Sequence, residues 1–93
     1  MNISYKPPFR KFVKKQARAF QLAIEDEAEK IRAEPGIGET KKGDLAGFRV
    51  HKFTFHKQEY LVAYKLSDQV VVYLIGTHEN FYRDLKQYVR EVE

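Results

Sequence analysis

Cysteine is absent from all 93 residues, which excludes disulfide scaffolds, thiolate zinc sites and cysteine nucleophiles together. Long hydrophobic runs are also lacking. No stretch nears the roughly 20 apolar residues of a membrane-spanning helix, and no apolar signal core follows the first charges. The chain therefore reads as soluble and cytoplasmic, with no membrane partner. Histidine is scarce: His51, His56 and His78 are the only three, and no pair has the helical spacing or the third ligand of a zinc site. Neither a phosphate-cradling glycine loop nor a Gly-x-Ser-x-Gly nucleophile turn occurs. No metal and no other cofactor is expected. The length itself excludes a second core, so residues 1–93 form one domain.

What is present suffices for a packed interior. Hydrophobic residues make up 43% of the chain and aromatic ones 14%, too much apolar matter for a disordered chain. Seventeen Lys and Arg against 13 Asp and Glu leave a net charge of +4, a balance compatible with polyanionic partners but far from a histone-like tail.

In the first third, Phe9, Phe12, Val13, Ala17, Phe20, Ile24, Ala28 and Ile31 recur at spacings of three and four, forming one apolar helical stripe. Pro7 and Pro8 suit a helix start and Pro35-Gly36 a stop, so the helical region covers about 8–33. One long helix and a hairpin of two broken near Arg18 both fit this pattern. Asn2 to Tyr5 alternates weakly and suits a short first strand. Four glycines between Pro35 and Gly47 mark an irregular connector. From Phe48 the period changes to two, and Phe48–Phe55, Tyr60–Leu66 and Val70–Ile75 read as three strands of an antiparallel meander. Asn80 to Val92 returns to helical spacing. The fold class is α+β: an antiparallel sheet against an N-terminal helix or helical hairpin, with a C-terminal helix.

Charge is unevenly placed. Met1 to Phe20 holds six bases and no acid, whereas Glu25 to Glu34 holds five acids against Lys30 and Arg32. In a single helix that order opposes the macrodipole. It suits either a solvated outer face or a contact surface for nucleic acid or ribosome. Among candidate chemical groups, His78 stands just past the last strand with Tyr82 and Arg83 close behind it. Histidine can give or take a proton near neutral pH, and tyrosine can hydrogen-bond or stack. On the first long strand, Arg49 and His51 share one face with Phe53, while Lys52 shares the other with Phe48 and Val50. Lys65 alternates on the neighbouring strand. If helices cover only one side of the sheet, such bases can line a groove for a phosphate backbone on the open side.

The segments GDLAGFRVHKF, EYLVAYKL and VVVYLIGTHENFYRDLKQY, in this order and with a Pro-Gly-Ile-Gly connector before them, resemble toxins of the RelE/ParE family from bacterial type II toxin–antitoxin pairs. The resemblance extends over nearly the full chain. It implies a small α/β scaffold used for two mechanisms, mRNA cleavage in the RelE-like branch, commonly on the ribosome, and poisoning of DNA gyrase in the ParE-like branch. The Gly76-Thr77-His78 turn followed by Phe81 is similar to RNA-cleaving, YafQ-like members, whose matching histidine is catalytic.

By that resemblance His78, Tyr82, Arg49 and His51 are the catalytic candidates, and Lys52, Lys65 and Arg83 the substrate-binding ones. One departure stands out: Glu59-Tyr60-Leu61 replaces the Asp-Tyr-Arg of many RelE-like chains and removes an arginine. The function so implied is a metal-independent endoribonuclease that inhibits translation; the alternative is a non-enzymatic gyrase inhibitor. A cognate antitoxin is the implied partner, with operator DNA reached only through it.

Overall fold

The apolar spacings of the first third resolve into two helices. In the computed structural model, which describes residues 1–93, α1 spans Pro7–Lys14 and α2 spans Arg18–Ala33. Side-chain amides, with no glycine, end α1: Gln16 donates to the Phe12 carbonyl and Gln21 to the Val13 carbonyl, each at 2.9 Å. The break leaves Ala17 exposed in the link, outside the stripe it was expected to join. It also puts Lys11 and Lys14 in the last turn of α1, where cations complement the macrodipole. Part of the apparent charge conflict thereby disappears, although α2 still begins without an acid in its first turn.

Five strands follow the order β1-β5-β4-β3-β2, with β1 at Ile3–Tyr5, β2 at Glu39–Thr40, β3 at Phe48–Phe55, β4 at Gln58–Leu66 and β5 at Val70–Gly76. The meander β3-β4-β5 is antiparallel, but β1 pairs parallel with β5, so the sheet is mixed. Phe55 faces Gln58 across a two-residue turn in which His56 and Lys57 both hold left-handed backbone, with φ of 49° and 67°. That is the dihedral signature of a type I′ hairpin.

Period two sorts the strands into two cores. Val62, Tyr64, Val70, Val72 and Ile75 pack beneath α1 and α2 with Phe9, Phe20, Ile24 and Ile31. On the opposite face Phe48, Val50, Leu61, Ala63 and Tyr73 pack against Phe81 and Leu85 of α3, the helix His78–Val92. Helices therefore cover both sides of the sheet, and the condition for a basic groove on an open face is not met. Phe81, Leu85, Tyr88 and Val89 give α3 an apolar stripe that must be buried, and the second face of the sheet is where it goes. Between β4 and β5 the register slips: Tyr64 faces Val72 while Ala63 faces Leu74, leaving Tyr73 as the extra residue of a bulge. Consequently Tyr73 and Leu74, though adjacent, both join the core under α3.

Tyr64 organises the connector. Its ring is fully buried, and its hydroxyl donates to the Pro35 carbonyl at 2.6 Å and accepts the Gly38 N–H at 2.8 Å. A Cβ on Gly38 would stand 2.6 Å from that oxygen, so only glycine fits. This contact fixes the 3-10 turn Pro35–Ile37 and, through it, the position of β2. No helix is long and apolar enough to cross a membrane.

Candidate functional site

The exit of β5 delivers the last turn before α3. Thr77 takes extended backbone and the helix starts at His78, which is exposed. One helical turn later Tyr82 lies half-buried on the same side of α3, and the two rings meet edge to face with centroids 5.6 Å apart. Phe81 drops into the core and meets the Tyr82 ring nearly perpendicular at 5.2 Å, which restricts how Tyr82 can turn.

Cations reach this corner from the connector. Lys41, just after β2, holds its Nζ 5.2 Å from the Tyr82 ring centroid and 2.7 Å from Glu39 Oε1. The hydrogen bond to Glu39, and next the Tyr82 phenol, raise the Lys41 pKa, so the amine stays charged. Glu39 is held below the usual glutamate range by that same bond and by the charges of Lys41 and Lys52. Lys52 is exposed, on the α3 side of β3, and shares a row across the sheet with Leu61 and Gly76. Two strand spacings put Lys52 about 10 Å from Gly76. His78, Tyr82, Lys41, Glu39 and Lys52 thus occupy one end of one face. Lys41 and Glu39 were not among the residues singled out from sequence, because they lie in a glycine-rich segment that reads only as a loop.

The remaining candidates are placed elsewhere. Arg49 and His51 share a face, as their spacing requires, but it is the face under α2. Arg49 donates to the carbonyls of Gly38 at 3.0 Å and Gly36 at 3.4 Å. The His51 ring is buried, with Nε2 at 2.8 Å from Glu27 Oε1, while Lys30 donates to the other oxygen of that carboxylate at 2.8 Å. Both side chains are engaged in holding α2 and the connector, across the sheet from His78. Arg83 is exposed and turned toward Asp84, 3.3 Å away. Lys65 lies beside Glu93, beyond the other end of α3 from His78. Fifteen residues of helix put those ends about 21 Å apart. On the other flank of α3, a cleft of about 270 Å³ is lined by Phe12, Thr77, Asn80 and Asp84 among others. Asp84 gives it the wrong sign for phosphate. No three His, Asp or Glu side chains converge where they could hold a metal ion.

A family model described as the ParE-like toxin of type II bacterial toxin–antitoxin systems matches residues 3–86. The chain belongs to the ParE-like toxin family. As a type II toxin it implies an antitoxin partner. No curated protein matches the toxin in sequence. Among solved structures, the isolated RelE toxin of E. coli is similar over 97% of each chain, with a TM-score of 0.63 and 15% identity. At that identity the likeness establishes the shared α+β scaffold, and no residue role is carried across by it.

Proposed function

We propose that this toxin is an mRNA endoribonuclease that inhibits translation, with His78 as its proton-transfer group. The supporting observation is an exposed imidazole set edge-on against Tyr82, with the Lys41 ammonium over the same ring. Cleavage of RNA by its own 2′-hydroxyl requires that a proton leave that hydroxyl, that charge on the phosphorane be offset, and that the departing 5′-oxygen be protonated. The products are a 2′,3′-cyclic phosphate and a 5′-hydroxyl end. Lys52 and Lys41 supply positive charge on this face, and Tyr82 offers a ring for stacking the nucleotide beside the scissile bond. Arg49 and His51, held on the other face, take no part in this chemistry. The imidazole can act as base when neutral or as acid when protonated, and the pH–rate profile of the unaltered chain tells these apart: a limb rising with pH marks a base and one falling with pH an acid.

His78→Ala should abolish cellular toxicity and the new 5′-hydroxyl mRNA ends while leaving the folded spectrum unchanged. Full toxicity of that variant overturns the assignment. The second reading, inhibition of DNA gyrase by binding alone, is favoured by one observation: Lys41, the cation over the Tyr82 ring, is already paired with Glu39. It predicts halted replication and broken DNA with intact mRNA, whereas the ribonuclease produces early translation arrest. Mapping mRNA ends with and without the antitoxin separates the two.

A further inference from the structure

Beyond the far end of α3 from His78, two ammonium groups and a phenol converge on one carboxylate. Glu93 follows α3, and its Oε2 accepts the Tyr73 hydroxyl at 2.6 Å. Lys6 Nζ lies 3.6 Å from the same oxygen and Lys65 Nζ 3.8 Å from Oε1. Both lysines also stand over aromatic rings: Lys6 is 5.4 Å from the Tyr73 centroid, and Lys65 is 5.8 Å from Tyr73 and 4.8 Å from Phe48. Tyr73 is only 5% exposed, and as the extra residue of the β4–β5 bulge it is aimed by the sheet. Lys6 comes from the link between β1 and α1 and Lys65 from β4, so three separate elements supply the donors. Burial, and then the Glu93 carboxylate, push the Tyr73 phenol far above its ordinary pKa, so it remains a donor.

We infer that Lys6, Lys65 and Tyr73 form a phosphate-binding site that the Glu93 side chain fills when no phosphate is present. The flat carboxylate satisfies the phenol but pairs with the two ammonium groups only at longer range, both lysines standing well outside the 2.7–2.9 Å of a charge-assisted hydrogen bond. A tetrahedral oxyanion presents oxygens in three directions and closes both gaps while keeping the phenol bond. Lysine acts as a point-charge phosphate binder in this way. Among the side chains of the cluster, two ammonium groups face a single carboxylate. The phosphate comes either free in solution or from an RNA backbone. The site is separate from the proposed cleavage centre and does not depend on cleavage.

The test is a titration of the purified full chain with inorganic phosphate in chloride buffer, followed by NMR at the lysine Nζ groups and the backbone. Glu93→Gln removes the competing charge of two partly exposed ion pairs and should bind phosphate about fivefold more tightly than wild type. Its shifts should centre on Lys6, Lys65 and Tyr73, and adding Lys65→Ala should bring the affinity below wild type. Displacement of the phosphate by an uncleavable 2′-O-methyl oligoribonucleotide identifies a backbone phosphate as the ligand. Phosphate binding without oligonucleotide binding identifies the free ion. No tightening in Glu93→Gln, or shifts spread over Lys11, Lys14 and Lys15, overturns the site. Should Glu93→Gln lose its native spectrum, Lys65→Ala in the wild-type chain must abolish the phosphate-induced shifts at Tyr73, and their persistence would refute the proposal equally.

Discussion

Replacing Tyr64 by Phe removes a single oxygen and orphans two backbone groups. The hydroxyl now gives its proton to the Pro35 carbonyl and takes the Gly38 N–H. Each buried group left unsatisfied costs about 1–3 kcal/mol. The contact to Gly38 is buried and that to Pro35 only partly so, which lets water recover some of the second loss. A net destabilisation of about 2–3 kcal/mol follows. For a domain of this size it lowers the melting temperature by roughly 10 °C or more. Urea denaturation should show a lower midpoint with an unchanged slope, because the surface exposed on unfolding is the same.

Gly38→Ala tests the same contact from the other side. In the native chain its Cβ would stand 2.6 Å from Tyr64 Oη and 2.9 and 3.0 Å from two ring carbons. In the Tyr64→Phe background the oxygen contact is gone and the ring contacts remain. The cost of Gly38→Ala should therefore fall by about 1 kcal/mol there, within the range of coupling between touching residues. A Tyr64→Phe loss below about 0.5 kcal/mol, or strict additivity of the two substitutions, would refute the claim that this hydroxyl pins the connector.

Two further outcomes are expected. His56→Asn with Lys57→Gly gives the left-handed turn the residues that tolerate it, and should raise stability by about 1 kcal/mol or more in a thermal melt; no gain would deny that turn its strain. Burial alone would raise the Glu27 carboxyl, but hydrogen bonds from Lys30 and His51 outweigh it and hold the pKa below its ordinary value of 4.5. A depressed carboxylate contributes stability that is complete above the unfolded pKa and is lost as pH falls through the folded one. Glu27→Gln should accordingly cost about 1–2 kcal/mol at neutral pH and flatten the acid limb below about pH 4.5, measured as urea midpoints across pH; an unaltered limb would refute the pairing.

Local periodicity made much of the scaffold legible. The stripe of Phe20, Ile24, Ala28 and Ile31 and the period-two run of Phe48 to Phe55 each demand one element, and the structure has α2 and β3 there. The helix break was open because Gln16 and Gln21 end α1 through side-chain amides, which no proline or glycine announces. β2 escaped notice since both of its residues are polar and exposed. The run from Val70 to Ile75 is apolar throughout, so its bulge leaves no mark in the pattern. For the candidate site, spacing correctly put Arg49 and His51 on one face of β3 and Lys52 on the other. Which of those faces α3 would cover is a tertiary choice that alternation alone does not encode.

That choice has the larger functional consequence. Because Phe81 and Leu85 are buried in the core, α3 is fixed on the sheet between His78 at one end and Glu93 just past the other. Cationic groups on this face are excluded from the middle, where Phe48, Val50, Leu61 and Ala63 pack, and gather at the two ends as Lys41 with Lys52 and as Lys6 with Lys65. On the opposite face of the sheet the two basic strand residues are held by the fold's own acceptors, Arg49 by carbonyls and His51 by Glu27, while Lys11, Lys14 and Lys15 on and beside α1 stay exposed. The helix that closes the second core also sets the spacing, about 21 Å, between these two groups of cations.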